Sequence, residues 1–599
     1  MAQISYGGVF NSATLNVPDV YLNILQPQGG VVRPASIGVL AIRGVASWGP
    51  VNVATPVGNM GALALFGPVT VRKYDLATAS LIALQTQLAL GSGAGLMLSR
   101  ATDGTDTAAT GFFGLIAATA VPHSGAGGTG YAANDTVTLT NGVVLTVSTV
   151  TLGAITAVTI QTPAATSEPT NPVAQASTSG SGTGATFDLT YSYKMLLTSK
   201  YTGTGGNPTV ATFSAGSNSV VSNTTFKLTV VLPGMAPEIF DNLSGASNAA
   251  FWANVVSAIN NGNSPQRGPS NLVVATAGSV TTKPSVGDQA LFSGGTDGTA
   301  SITASVLMGS ESGSTRTGIY SFRGLGCSDG MIADFDDHTQ NAALVTFAQS
   351  EGIYWHTNDT AGETITSAIT NKQTDGTDNP WLKVYLGDWV YWNDNINGQQ
   401  RLLGPATFGA SLISTQPPQQ VGLNKQVSGA VATQRSKTGN PYASLDLSLL
   451  ETAGIDLICN PIPRGSMFGI RLGRNASSDA TRNLDNWPRL TSFIARSLAG
   501  PGALGPAIGQ TITDDFFETW YAVLDAFLGG LKNARPTAVI QNYQINFSRA
   551  NNPQSQTAVG LVVAEVLIQY LGIAQVFLVN LQTGATVVIP QSTSSFALA

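Results

Sequence analysis

Five residues, Gly326-Cys327-Ser328-Asp329-Gly330, fit the Gly-x-Ser-x-Gly spacing in which a strained strand-to-helix turn exposes a nucleophilic serine. A triad would also need an acid and then a histidine downstream, and only His338 and His356 are available. Such a short pattern arises readily in a chain with 67 glycines, so Ser328 reads as a turn residue. Asp334, Asp336, Asp337 and His338 have the donor types for a divalent ion or for paired carboxylates. The simpler reading is that Asp336 or Asp337 caps the helix that follows. His123 has no partner in view, and the Gly-rich stretches 91–95 and 203–206 lack the Lys-Ser/Thr of a phosphate loop. Trp381, Tyr385, Trp389, Tyr391 and Trp392 could form a glycan or peptide platform, although their spacing favours a packed sheet face or a subunit contact. No catalytic, metal or cofactor-binding residue is assigned, and the chain is not expected to be an enzyme.

Composition points elsewhere. In 599 residues 43% are apolar, enough for real cores, whereas only 10% are charged against roughly 25% in ordinary soluble domains. So neutral a surface favours a protein covered by copies of itself. The net charge of −6 gives no general attraction to phosphate backbones, which argues against nucleic acid as a direct ligand. Cys327 and Cys459 show no metal or redox spacing and read as reduced packing residues. No basic region followed by an apolar core opens the chain, so no secretory signal is expected. Arg464, Arg471, Arg474, Arg482, Arg489 and Arg496 recur where charge is otherwise scarce; some are expected to pair with carboxylates across a subunit boundary, with a solvated face as the alternative.

The elements that must position these residues follow from pattern. Residues 1–35 read as an extended arm: Pro18, Pro27, Gly29-Gly30 and Pro34 forbid a helix, and Val20, Tyr21, Leu22 and Ile24 offer a strand with no internal partner, which would seek another chain's sheet edge. Residues 37–42 form a core strand, 76–90 a helix stopped by Gly91, and 96–100 the next strand. Between Arg100 and Lys194 there is no lysine or arginine, and β-rich runs at 135–140, 143–147 and 155–160 alternate with Gly or Asn turns, so 116–193 reads as an inserted all-β domain. From 301 onward strands and helices alternate, predicting a mixed or parallel sheet flanked by helices. A helix at 487–498 precedes one capped by Thr513 that buries Phe516, Trp520, Leu524, Phe527 and Leu531. The apolar stretch 558–581 contains Glu565, Gln569 and Gln575, so it predicts two strands, carrying Val562, Val566 and Ile568, then Val576 and Leu578, and no stable membrane insertion.

This order resembles that of contractile phage tail sheath proteins. The likeness rests on the extended start leading into 37–42, on 197–207, where a strand meets the Gly-rich turn Gly203-Thr204-Gly205-Gly206-Asn207, on 238–244, on Gly294-Gly295-Thr296-Asp297-Gly298, on 405–410, 451–458 and 468–471, and on the final helix pair before a strand-rich end. It implies a multidomain α/β (mixed α+β) fold around the insert 116–193: arm 1–35, a discontinuous middle domain 36–115 and 194–300, a sheath core 301–535, and a C-terminal strand-rich arm 536–599. By the resemblance, subunits assemble in the host cytoplasm as hexameric rings stacked helically around a tail tube protein, within a virion that also holds baseplate and tail terminator proteins. Contraction would drive the tube through the host envelope for genome ejection. The sheath of a phage-derived bacteriocin or related injection device is the near alternative; a phage adhesin is the one from another class.

Overall fold

The computed structural model describes residues 3–6 and 21–24 for their backbone, and 32–91, 95–218, 225–262, 267–313, 315–500, 502–581 and 583. The chain divides into two compact units: Pro34–Pro417 with Gly422–Arg496, and Met1–Arg33 with Pro418–Val421 and Ser497–Ala599.

The larger unit is built on a seven-stranded sheet in the spatial order Ile455–Asp456, Leu382–Tyr385, Tyr354–Asn358, Asp329–Ile332, Leu40–Val45, Leu96–Ala101, Thr55–Val57. All neighbours are parallel except the last pair. Every residue of Leu40–Val45 is buried, as expected of a parallel strand covered on both faces. Leu40 and Ile42 face the helices Leu76–Ala89 and Pro405–Ser414, whereas Ala41 and Val45 face Leu344, Phe347 and Ala348 of helix Asn341–Glu351. This pairing corrects the expected boundaries. Leu40–Val45 and Leu96–Ala101, assigned through the resemblance to the middle domain, lie inside the core sheet, because parallel strands pair across long crossovers that periodicity cannot reveal.

Two smaller sheets, Ala108–Phe113 with Met195–Thr202 and Val273–Ala277, and Val210–Ala215 with Phe226–Val231, Glu238–Leu243 and Gln289–Leu291, share a core with helix Asn248–Asn261. Phe113, Phe213, Phe240, Phe251 and Trp252 fill it. Between Ile116 and Ser192 six strands form their own sheet, in which the first strand, Ile116–Thr129, pairs with the last, Thr183–Ser192. Ile116–Thr129 also meets the strand Ala154–Thr162 at the far side of the order: Ala117 donates to the Pro163 carbonyl at 2.7 Å, and a Cβ on Gly127 would lie 2.4 Å from the Ile155 carbonyl oxygen. The result is a small closed barrel around Val137, Leu145, Val147 and Phe187.

In the smaller unit Thr513 accepts from the Phe516 N–H and starts helix Asp514–Lys532. That helix, placed through the resemblance in the core domain, packs instead on an antiparallel hairpin of Ile540–Asn546 and Glu565–Tyr570. Phe516, Phe517, Trp520 and Phe547 form its core. The second strand expected at 576–579 does not form: 571–581 is irregular. The expectation that the N-terminal segment lacks an internal partner is also corrected, since Tyr21–Ile24 pairs in parallel with Gln3–Tyr6. Val20 lies outside the described residues.

Candidate functional site

The surface best equipped for contact is the C-terminal hairpin with the segment that leaves it. Val566, Ile568 and Tyr570 are half-buried toward the helix side, and Glu565, Leu567 and Gln569 are exposed, which is the predicted alternation. The sheet has two strands, so among the described residues neither outer edge is covered by a third strand. Leu504, Ile508, Phe516, Trp520, Leu524 and Val562 line an apolar cavity of about 690 Å³ beside it. Beyond Tyr570 the chain exposes Val576 (86%), Phe577 (90%), Leu578 (79%) and Val579 (66%) in one run. Single exposed hydrophobics are ordinary; four in succession are not.

The two Gly-rich landmarks at 203–207 and 294–298 meet in space. Asn207 Oδ1 accepts from the Gly295 N–H at 2.8 Å, and its Nδ2 donates to the Gly295 carbonyl at 3.2 Å. Asp297 accepts from the Thr204 N–H and pairs with Arg72 at 2.7 Å. Gly203 sits at φ 121° with its absent Cβ 2.0 Å from the Ser47 carbonyl oxygen, so no other residue fits. Arg100, wholly buried, reaches the carbonyls of Gly49 and Thr202. These contacts fasten the middle sheets to the core sheet.

At the centre of the larger unit lies a buried ionic network. Lys383 Nζ is 2.5 Å from Asp456 and 2.8 Å from Asp485, and it donates to the Arg474 carbonyl. Burial works against its charge, yet the two carboxylates hold its pKa above the ordinary lysine value. Asp456 also accepts the N–H groups of Leu457, Leu472 and Gly473, and Asp485 accepts the Tyr354 hydroxyl at 2.6 Å. The only sequence signal was a lysine interrupting the apolar strand around Val384.

Ser328 does not have the geometry of a nucleophile. It is buried at the entry to a strand, not at a strand-to-helix turn, and its Oγ engages Gly38, Val39 and Asp329. His356 lies against Asp329 at 3.5 Å, and burial lowers its pKa, which keeps it neutral. Asp337 caps the turn His338–Gln340, as the simpler reading had it; Asp336 pairs with Lys73 at 2.8 Å and His338 with Asp375 at 2.6 Å. Asp334, buried and accepting from the Gly404 N–H, is pushed up to about 6 by burial. His123 pairs with Asp188 on the barrel at 2.9 Å. Among the described residues no group of three or more His, Cys, Asp or Glu is placed to hold a metal ion. Tyr385, Trp389 and Trp392 are buried, which removes the aromatic platform. Cys327 and Cys459 are free buried thiols, each pushed up to about 12 by burial.

The arginines separate. Arg489, 4% exposed, lies 3.4 Å from Asp329 and donates to the Gln416 and Pro417 carbonyls, so its charge is spent inside the fold. Arg496 likewise serves the Gly326 and Cys327 carbonyls. Arg474 pairs with Glu451 and Arg482 with Asp479 in the same chain. Arg471 is half-buried and Arg464 is exposed.

No protein-family model matches the chain, and no curated protein matches it. Among solved structures, a sheath tail protein from Listeria innocua aligns at a TM-score of 0.50 with 11% identity, over 87% of this chain and 90% of that one. A sheath tail protein from Desulfitobacterium hafniense aligns at 0.47 with 11% identity, over 90% and 93%. The chain therefore has the fold of a sheath tail protein, shared with the Listeria structure. No helix among the described residues is long and apolar enough to cross a membrane.

Proposed function

We propose that this chain is the structural subunit of a contractile tail sheath, polymerising as stacked six-membered rings around a tail tube and contracting to drive that tube through a cell envelope for genome ejection. The observation that carries the reading is the run at 576–579, apolar and exposed next to a two-stranded hairpin with open edges. Covering side chains of this size is worth roughly 1.5–3 kcal/mol each, so the isolated chain holds free energy that another copy can collect. The shared fold and the charge-poor composition support the same reading.

In this mechanism residues from the N-terminal arm, Val20, Tyr21, Leu22 and Ile24, and from the C-terminal arm, Val562, Val566, Ile568, Val576 and Leu578, add strands to neighbouring copies and keep them tethered. The larger unit, fastened by Arg72, Arg100 and the Lys383 network, moves as a rigid body between those tethers. Heterologous contacts of this kind need not close, so they build a long cylinder. Contraction that buries ~200 Å² more apolar surface per subunit would release about 5 kcal/mol before ordering costs, with no nucleotide. Baseplate and terminator proteins would bound the cylinder within a virion. Electron microscopy of the chain expressed alone tests the reading: striated hollow cylinders are expected, and only dispersed particles at every concentration, with or without a tail tube, would count against it.

A further inference from the structure

The network around Lys383 brings an amine and two carboxyl groups together where bulk water does not reach. Lys383 Nζ lies 2.5 Å from Asp456 Oδ2 and 2.8 Å from Asp485 Oδ1, and none of the three side chains has any exposed surface. Lys73 and Asp336 come as close, at 2.8 Å, but that lysine is 48% exposed, so water surrounds the pair and keeps it ionic. Two groups held in contact by a fold react as though present at roughly 10⁵–10⁸ M, which favours a condensation that dilute groups in water do not undergo.

The two carboxylates are not equivalent. Asp456 Oδ1 accepts from the Leu457 and Leu472 N–H groups at 2.8 and 3.0 Å, and its Oδ2 from those of Gly473 and Arg474 at 2.8 and 3.2 Å. Backbone donors converging on one carboxyl group are the arrangement that stabilises the negative oxygen of a tetrahedral carbon. Asp485 instead shares its Oδ1 between Lys383 and the Tyr354 hydroxyl at 2.6 Å, with the Gly422 N–H on Oδ2 at 3.0 Å. That is the placement of a group that takes a proton from the amine and gives it back.

We propose that the folded chain joins Lys383 Nζ to the Asp456 carboxyl carbon through an amide bond, with Asp485 as the proton relay. Asp485 takes one proton from the Lys383 ammonium, and the lone pair so freed attacks the carboxyl carbon. The Leu457 and Leu472 N–H groups hold the oxyanion on Oδ1. Oδ2 then leaves as water with two of the three ammonium protons, one directly from nitrogen and one returned by Asp485, so the step balances without oxidant, metal or nucleotide. Burial works against the charge on Lys383, but the carboxylates outweigh it and hold the proton on the amine at rest, so the bond forms slowly after folding.

The bond pins an edge. Ile455–Asp456 is outermost in the seven-stranded sheet, in register through Val384 with Ile455 and Tyr385 with Asp456. An amide from the neighbouring strand, Leu382–Tyr385, secures it where ladder hydrogen bonds are few.

The full chain, purified folded and incubated for days, would be unfolded, weighed by intact-mass spectrometry and digested with trypsin. The expected result is the loss of one water from most molecules, with cleavage after Lys383 blocked and the Lys383 and Asp456 peptides joined. Lys383→Arg, which has no amine to attack, should keep its full mass. A native chain that keeps its full mass overturns the proposal. So does lost water that maps to a link between Lys383 and Asp485, or to an imide at an Asp-Gly pair such as Asp103-Gly104, and so does a Lys383→Arg chain that loses water equally.

Discussion

The core of the larger unit and the C-terminal unit treat water in opposite ways. The first takes Lys383, Asp456 and Asp485 entirely out of solvent and satisfies them internally, while the second leaves Val576, Phe577 and Leu578 in water beside open strand edges. Buried ions are costly and add little net stability, but they admit one geometry only. Exposed apolar residues do the reverse: they specify nothing within the chain and reward contact with another. One region is finished by folding; the other keeps apolar surface that folding leaves uncovered.

The sharpest way to break the contrast is Lys383→Met. It leaves Asp456 and Asp485 buried without their cation, and should cost about 3–5 kcal/mol of unfolding free energy in urea titrations of the larger unit. A loss below 1 kcal/mol would mean that the network is not a structural keystone. The pH response comes next in size. His356 is neutral when folded, with its pKa below the ordinary 6.5, so the unfolded chain binds more protons and stability falls as pH drops below 6.5. Asp334, at about 6 when folded against 3.8, works oppositely: the folded chain takes its proton first, so acidification between 6 and 3.8 stabilises. Asp334→Asn removes the opposing group and should steepen the loss between pH 6.5 and 5 by up to about 1 kcal/mol per pH unit. An unchanged slope would contradict the assignment.

In the smaller unit Thr513→Ala removes the cap of helix Asp514–Lys532 and should cost about 1 kcal/mol, read as a lower midpoint of that unit's transition. Ending the chain after Tyr570 should change its unfolding free energy by less than about 0.5 kcal/mol, because the removed hydrophobics touch little, and yet abolish long cylinders. Normal cylinders from this truncated chain would refute the view that this segment is the tether.

Local features were legible in the sequence where a local force sets them. The Gly91 stop, the Thr513 cap with its buried stripe, the alternation of Val566, Ile568 and Tyr570, and the barrel strands separated by Gly turns each depend on neighbours a few residues apart. What stayed hidden depends on chain closure. Nothing near Leu40–Val45 says that it will lie beside Asp329–Ile332, and nothing near Arg489 says that Asp329 awaits it. Of the candidate site, the apolar run was readable, but its failure to form a second strand was not, since a strand needs a partner and among the described residues no strand pairs with it. Four of the six arginines, Arg474, Arg482, Arg489 and Arg496, find partners within the chain, which was hidden for a related reason: scarcity of charge marked them as notable without saying whether their partners were inside or outside.

The closed barrel has a practical consequence. Between Arg100 and Lys194 the chain offers trypsin no cleavage site, and the barrel leaves no loose strand for other proteases to pull on. The folded chain should therefore shed few fragments from that region in a protease-rich medium, and the β-turn at Leu152-Gly153, with Leu152 fully exposed, is the natural place to graft a reporter peptide without disturbing the barrel.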